Sequence, residues 1–384
     1  MSTTTNGHRS VFRSHLDRLR AGLLLMGFLL LALPRARPAY IASLVNQGCR
    51  TRATVNGPLL VLYARGGPGH LGPTVGDGRI LVVHGSKVGR TLTHGLPFPF
   101  TGGLISSPCG RYVAYGEDAM PGPGRPPQTQ GLWLTTSDGR ATRRLLLPPP
   151  SATGQPDYSI GPIAWSPDRL TLAYAVNNAQ DYGVNPRGLG VWLTRYDRPH
   201  PRLAATLTQL GVIADGSQPI TQLSWSPDGH ILAVSAARST PRPTQPGQIT
   251  PVVVAFDVAT GKTRVLVSGG WYGVFSPVGT ALAYVTGGVG TRGAMALWVA
   301  DARGRHGRKL VSVSGTLFSP AWSPDGRTIA YIEGGVTASG PTAIHTVDVA
   351  SGRNRVLLAT AAPSQPLVPA GGRFIRLAWI HARA

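Results

Sequence analysis

The 384 residues include 50 glycines and 34 prolines, and only 14% are charged. A chain of this length buries a core with ease, and its many turn-forming residues indicate short strands joined by turns, which excludes a mainly helical fold. The net charge of +21 comes from 37 basic residues, all arginine except Lys87, Lys262 and Lys309. This balance favours an anionic partner such as nucleic acid, an acidic polymer or a membrane surface, unless arginine-rich coding has scattered charge over a solvated surface.

Residues 1–44 have the pattern of an export signal. The apolar run AGLLLMGFLLLAL at 21–33 predicts a helix of 13 residues, which is signal-peptide length and short of the roughly 20 that span a bilayer comfortably. No small-x-small cleavage site follows, because Pro34, Arg35 and Arg37 occupy the places where small residues are needed. These features favour an uncleaved signal anchor, with a cleaved signal peptide or a buried globular helix as alternatives. The basic residues before the run are Arg9, Arg13, Arg18 and Arg20.

Either export interpretation places the chain from about residue 45 onward outside the cytoplasm, as a single-pass membrane protein or, after cleavage, as a secreted one. Nucleic acid is then not an expected partner. The two cysteines, Cys49 and Cys109, fit an exported chain with one disulfide bond between them, and two unpaired, partly buried thiols are the alternative.

One twelve-residue phrase recurs five times. The copies are SSPCGRYVAYGE from residue 106, AWSPDRLTLAYA from 164, SWSPDGHILAVS from 224, VFSPVGTALAYV from 274 and AWSPDGRTIAYI from 321, with Ser-Pro steps 59, 60, 50 and 47 residues apart. Proline fixes φ at the first turn position, aspartate bonds the backbone and glycine accepts positive φ, so each copy predicts a tight hairpin. An apolar strand, an Asp/Gly turn and a basic strand follow each copy, and four strands in a period near 50 residues are typical of a propeller blade.

Five blades leave strand phrases over at both chain ends. FIRLAWI at 374–380 matches the first strand of a blade, and PLLVLYAR at 58–65 with RILVVHGSKVGRTLT at 79–93 supplies the other three. We therefore predict an all-β, six-bladed propeller of four-stranded blades at 45–384, closed by pairing of the two chain ends, which leaves no open sheet edge. The large residue before the Ser-Pro step is predicted to wedge between blades, and it is Trp165, Trp225, Phe275 or Trp322 in four copies.

These repeats behind an export signal, with the pattern SPDG-x-x-[IL]-A-[YF], resemble the TolB-type six-bladed propeller family of bacterial envelope proteins over about residues 50–384. The resemblance implies a propeller that holds partner proteins or peptides, or one that serves as the non-catalytic domain of a larger enzyme. The sequence departs from envelope TolB in lacking its extra N-terminal α/β domain, which argues against a role in the Tol system.

Motifs for chemistry are absent from the sequence. No Gly-x-Ser-x-Gly elbow occurs, and the two G-x-G-x-x-G matches, at 67–72 and 288–293, lie between predicted strands instead of between a strand and a helix. The ten histidines show no metal-binding spacing, so we expect neither a metal nor a cofactor, and His345 is predicted to be a satisfied core histidine. Asp168, Asp228 and Asp325 recur at the same turn, which favours structural capping over catalysis.

Long connections between the second and third strands of a blade are predicted at 116–130, 177–189 and 236–250, all at one end of the propeller. The sequence therefore predicts a monomeric, non-enzymatic scaffold that binds a protein, peptide or envelope polymer there, unless these are unconstrained surface loops. The alternative function is a hydrolase or lyase acting on sugars or peptides with a carboxylate site at the centre of the same face. The candidate binding residues are Glu117, Asp118, Arg125, Asp181, Tyr182 and Arg187.

The opposite end is predicted to be basic, because each second hairpin carries basic residues at or next to its turn. Such a surface suits anionic lipid headgroups, unless the arginines only protect outer strands from edge pairing. The sixteen residues are Lys87, Arg90, Arg140, Arg143, Arg144, Arg195, Arg198, Arg202, Lys262, Arg264, Arg303, Arg305, Arg308, Lys309, Arg353 and Arg355.

Overall fold

The computed structural model describes residues 55–65, 78–96, 103–117, 131–147, 158–178, 188–212, 220–242, 245–279, 281–288, 294–334, 341–360 and 372–382. They all lie in one compact unit, Thr51–Ala384. The apolar segment predicted as an N-terminal helix falls outside the described residues. Within them, no helix is long and apolar enough to cross a membrane.

The described strands form six four-stranded antiparallel sheets, which are the blades of a propeller. Each blade is lettered A to D from the channel outwards. Blade 1 is β4 (Leu104–Ser106), β5 (Tyr112–Glu117), β6 (Gly131–Thr136) and β7 (Thr142–Leu146). Blade 2 is β8 (Tyr158–Trp165), β9 (Thr171–Asn178), β10 (Gly190–Arg195) and β11 (Arg202–Thr206). Blade 3 is β12 (Ile220–Trp225), β13 (Ile231–Arg242), β14 (Gln245–Asp257) and β15 (Thr263–Ser268).

The remaining blades complete a ring in which the inner strands of successive blades contact each other around a central channel. Blade 4 is β16 (Gly270–Phe275), β17 (Ala281–Thr286), β18 (Met295–Asp301) and β19 (Arg308–Val313). Blade 5 is β20 (Thr316–Trp322), β21 (Thr328–Gly334), β22 (Thr342–Asp348) and β23 (Asn354–Ala359). Blade 6 is β24 (Gly372–Ala382), β1 (Val55–Arg65), β2 (Gly78–His84) and β3 (Lys87–Leu96). The predicted six-bladed fold is confirmed.

Blade 6 confirms the predicted pairing of the chain ends. Strand β24 pairs with β1 in antiparallel register, with Leu59 opposite Trp379 and Leu60 opposite Ala378. Successive residues of β1 point to opposite faces, so Leu59 and Val61 pack in a cluster with blade 5 while Leu60 packs in one with blade 1. Each face of the closing blade is therefore buried against a neighbour.

The tryptophans before the Ser-Pro steps, with Trp379 at the equivalent position of β24, are named here the tryptophan column. This column joins blades, as predicted. The indole Nε1 of Trp322 donates to the carbonyl of Val274 in blade 4 at 3.0 Å, and that of Trp379 donates to the carbonyl of Ala321 in blade 5 at 3.1 Å. These two tryptophans thus fill the gap between inner strands and supply a hydrogen bond across it, whereas the buried Nε1 groups of Trp165 and Trp225 have no hydrogen-bond partner among the described residues.

The aspartates of the A–B turns cap the backbone, as predicted. Asp168 accepts hydrogen bonds from the amides of Leu170 and Thr171 at 2.8 and 2.9 Å. Asp325 accepts from the Ser323 hydroxyl at 2.6 Å and from the Arg327 amide at 3.1 Å. These bonds occupy the carboxylates and fix the turns at which strand B begins.

The prediction of a long connection at 236–250 in blade 3 is wrong. Strands β13 and β14 continue there as a paired ribbon, with Ala237 opposite Pro251 and Arg242 opposite Gln245. The prolines of this segment suggested a loop. Strand β15 pairs with β14 only as far as Val252, and β12 pairs with β13 only as far as Ala236. Beyond these residues, the outer edges of the ribbon are not paired with any other described strand. Proline is tolerated in a strand whose nitrogen faces such an edge.

One turn contains a side chain where the others have glycine. Arg169 has φ of 68°, whereas Gly110, Gly229 and Gly326 occupy the equivalent position with φ of 70°, 75° and 69°. A residue with a Cβ is strained in this left-handed region, and glycine is not. We expect Arg169→Gly to raise the free energy of unfolding by about 0.5 to 1 kcal/mol. Relief of the backbone strain stabilises the folded state, and the greater conformational entropy of glycine in the unfolded chain offsets part of that gain. Urea denaturation with unchanged slope is the measurement.

The control for this prediction is Arg169→Ala, which removes the guanidinium and keeps the Cβ. It should leave the strain in place and give no gain. A glycine variant no more stable than the alanine variant would contradict the argument.

Candidate binding surfaces and central channel

The chain leaves the blades at two ends that differ in character. The A–B and C–D turns lie at one end, named here the turn end, and the B–C and D–A connections lie at the other, named the loop end. Strand β5 ends at Glu117 and β9 ends at Asn178, so the connections at 118–130 and 179–189 both start from the loop end of neighbouring blades 1 and 2. The roots of these two connections therefore lie at the same end of neighbouring blades.

The candidate binding residues themselves are not positioned by the structure. Glu117 is the last residue of β5, opposite Gly131, and its side chain is outside the described set. Asp118, Arg125, Asp181, Tyr182 and Arg187 lie wholly outside the described residues. Their role in binding stays a prediction.

The turn end carries the predicted basic residues. Fifteen of the sixteen are exposed, and Arg143 is partly buried. The sequence analysis did not set the charges of the turn aspartates against these basic residues, although all eight described aspartates lie at this end. With Arg111, Arg169 and Arg327 of the A–B turns included, nineteen lysines and arginines face eight aspartates, an excess of eleven positive charges.

Three of these arginines link neighbouring blades, a role that the sequence analysis missed. Each lies on strand D and donates to a backbone carbonyl in the C–D turn of the next blade. Arg90 donates to Ser137 at 2.6 Å and Arg143 to Tyr196 at 2.8 Å, and Arg308 donates to Val349. These arginines stabilise the ring and are less available to a partner than exposed neighbours such as Arg303.

The aspartates of the C–D turns are held in their charged form by the turns themselves. The amide of Thr260 holds the pKa of Asp257 below its ordinary value, and the amides of Arg305 and Ser351 do the same for Asp301 and Asp348. A carboxylate with a lowered pKa and two or more backbone partners is a turn cap and a poor general acid.

His345 is only partly the satisfied core histidine that the sequence predicts. Its Nε2 lies 3.0 Å from Oε2 of Glu333 and its ring stacks on Tyr331, but its buried Nδ1 has no partner among the described residues. Burial lowers the pKa of His345, and the Glu333 charge opposes this shift. The described residues contain no group of three or more side chains that could hold a metal ion.

Cys109 lies in the A–B turn of blade 1 and takes part in a disulfide bond. The described residues contain no free cysteine. Cys49, the second cysteine of the sequence, is outside the described residues, so its pairing with Cys109 stays a prediction.

Two side chains on the inner strands have shifted pKa values, which the sequence analysis did not predict. Tyr272 lies on β16 and Arg376 lies on β24, and blade 5 separates their strands. Burial lowers the pKa of Arg376 and raises that of Tyr272, and each residue opposes the shift of the other. The buried Nε of Arg376 has no hydrogen-bond partner among the described residues.

Comparisons with known proteins identify the fold. No family model and no curated protein matches the sequence. Among solved structures, TolB from Acinetobacter baumannii matches 84% of this chain and 66% of its own at 14% identity, with a TM-score of 0.54. The chain thus spans just under two thirds of that TolB chain.

Two further solved structures match the chain. A chain of a nidogen/laminin complex is matched over its whole length, and over 85% of this chain, at 11% identity and a TM-score of 0.56. An oligogalacturonate lyase in complex with manganese matches 82% of this chain and 76% of its own at 15% identity, and its TM-score of 0.44 is too low to support a functional comparison. The protein therefore has a TolB-like six-bladed β-propeller fold.

Proposed function

We propose that this protein is a non-enzymatic binding scaffold outside the cytoplasm, which engages a protein, peptide or envelope polymer through the loop end. The observation that carries the proposal is that the described side-chain carboxylates are already engaged in hydrogen bonds or ion pairs. Eight are aspartates hydrogen-bonded in turns, and the ninth, Glu333, pairs with His345. Within this set, no two carboxylates are free to act as the paired acid and base of a glycoside hydrolase.

The arrangement of the carboxylates also argues against the hydrolase or lyase alternative. A substrate at the centre of the loop end would need carboxylates at that end, whereas all eight described aspartates lie at the turn end and Glu333, near the loop-end terminus of β21, is paired with His345. The alternative therefore depends on residues such as Asp118 and Asp181.

Two observations support a location outside the cytoplasm. The sequence begins with a basic and apolar segment of the export type, and Cys109 is disulfide-bonded, which is typical of proteins in oxidising compartments. We propose a single-pass anchor at 21–33, or secretion if the segment is cleaved.

The fold is compatible with a macromolecular partner. A propeller of similar architecture occurs in a complex of nidogen with laminin. Here the two connections at 118–130 and 179–189 start from neighbouring blades of a rigid ring, and long connections on a rigid scaffold are where binding residues concentrate.

The loop-end proposal predicts that one variant abolishes partner capture. In the full chain, Asp118→Asn, Arg125→Ser, Asp181→Asn, Tyr182→Ala and Arg187→Ser are combined and tested by affinity capture from envelope extract. We expect the amount of captured partner to fall at least about tenfold, since a few central contacts carry most binding energy. The matched control is Arg198→Ser with Arg202→Ser at the turn end, which should leave capture unchanged.

The outcome that would contradict loop-end binding is equal loss in both variants or loss in the control alone. Catalytic turnover of a sugar or peptide substrate that disappears with Asp118→Asn and Asp181→Asn would establish the alternative function instead.

The turn end is proposed as a second surface, which faces an anionic membrane. Its excess of eleven positive charges favours this, and each basic residue near anionic headgroups contributes about 1 kcal/mol. We expect Arg303→Ser, Arg305→Ser and Lys309→Ser together to weaken binding of the chain without residues 1–44 to anionic vesicles about a hundredfold. Arg308 is left unchanged because it links blades.

The control for vesicle binding is Arg125→Ser with Arg187→Ser at the loop end, which should bind as the parent does. Binding that is insensitive to salt, or unaffected by the three changes, would show that the turn end does not meet the membrane.

A further inference from the structure

The first strand of the closing blade is joined to blade 5 by the side chain of Asn56. Its Nδ2 group donates to Oδ2 of Asp325 at 2.9 Å, and the backbone amide of Asp325 donates to Oδ1 of Asn56 at 3.2 Å. Asp325 lies in the A–B turn of blade 5, 269 residues further along the chain. Asparagine suits this position because its carboxamide donates to a carboxylate and accepts from a backbone amide at the same time.

The residue after Asn56 makes this carboxamide chemically reactive. Asparagine is a thermolabile residue, and it loses its side-chain ammonia when the backbone nitrogen of the next residue attacks Cγ. Here the next residue is Gly57, which has no side chain to obstruct the attack. Asn56 is exposed, and the register of β1 with β24 shifts between Asn56 and Leu59, so Gly57 and Pro58 have no partners in that register. The reactive dipeptide therefore lies in an exposed bulge of the closing blade.

We propose that Asn56 is a site of spontaneous deamidation, and that the product weakens the join between the closing blade and blade 5. The bond between the Gly57 nitrogen and the Asn56 Cγ forms and the Cγ–Nδ2 bond breaks. The departing Nδ2 group takes the proton of the Gly57 nitrogen and leaves as ammonia. Water then opens the resulting cyclic imide at one of its two carbonyls, which gives aspartate or isoaspartate. The only co-reactant is water.

The product cannot make the contact that Asn56 makes. A carboxylate has no donor in the place of Nδ2, so its oxygen meets Oδ2 of Asp325 where the 2.9 Å hydrogen bond was, and two negative charges repel each other there. Asp325 is held in place, because its Oδ1 accepts from the Ser323 hydroxyl at 2.6 Å and from the Arg327 amide at 3.1 Å. The isoaspartate product also lengthens the backbone of β1 just before Leu59, which packs against blade 5.

The first experiment follows the modification itself. The folded full chain is incubated in mildly alkaline, isotopically heavy water and digested with trypsin, which cleaves after Arg52 and Arg65 and releases peptide 53–65 with Asn56 as its single asparagine. We expect this peptide to exchange its amide for a carboxylate that contains one solvent oxygen atom. Gly57→Ala should slow this reaction at least about tenfold, because a methyl group then obstructs the attack.

The second experiment measures the consequence for the fold. Asn56→Asp, which is one of the two products, should lower the melting temperature of the full chain by about 2 to 4 °C. Combining it with Asp325→Asn should recover most of the loss, because the donor and the carboxylate then exchange places across the contact. Asp325→Asn also keeps a side-chain oxygen for Ser323 and Arg327.

The matched control combines Asn56→Asp with Asp228→Asn. Asp228 has the same place in the A–B turn of blade 3, where it accepts from the Ser226 hydroxyl and the His230 amide, so changing it should recover nothing. The proposal is overturned if peptide 53–65 of the folded chain stays unmodified while the same synthetic peptide in solution is modified. It is equally overturned if Asn56→Asp melts with the parent, or if the control recovers as much as the Asp325→Asn combination.

Discussion

The pairing of β1 with β24 is the constraint on which the rest of this structure depends. Each blade buries its faces only against its two neighbours, so a ring of six blades is complete only when the sheet made from both chain ends is complete. Leu59 and Val61 of β1 then pack against blade 5 while Leu60 packs against blade 1. Hydrophobic burial and the elimination of sheet edges act together here, and neither is available to an open ring.

Polar contacts fix the turns and the relative positions of neighbouring blades, which hydrophobic burial alone does not specify. Aspartates define the turns, the Nε1 groups of Trp322 and Trp379 join inner strands, and three arginines join outer strands to the next turn. These elements account for all eight described aspartates and for three of the nineteen lysines and arginines at the turn end. Against that background Arg376 is the exception, a partly exposed cation on an inner strand whose shielded Nε has no hydrogen-bond partner among the described residues.

The fold could be predicted from the sequence because its signals are local and repeated. A Ser-Pro-Asp-Gly turn followed by an Ala-Tyr strand needs no tertiary information, and Trp379 in the tryptophan column was enough to place the last strand. The extended hairpin of blade 3 could not be predicted, since its prolines resemble a loop until one knows which strand edge is unpaired. The inter-blade role of Arg143 depends on how blades pack, which no local pattern encodes. The candidate loop residues stay a prediction for a different reason, because they lie outside the described residues.

The central claim is that the chain ends close the ring as an integral blade, and native-state hydrogen exchange tests it most directly. The amides of β1 and β24 would be compared with those of β12 and β13 in blade 3, whose strands are joined by a local turn. If closure is integral, both sets exchange only through global unfolding and show the same protection. Much faster exchange of β1 and β24 amides, with blade 3 still protected, would mean that the closing blade opens independently and would contradict this account.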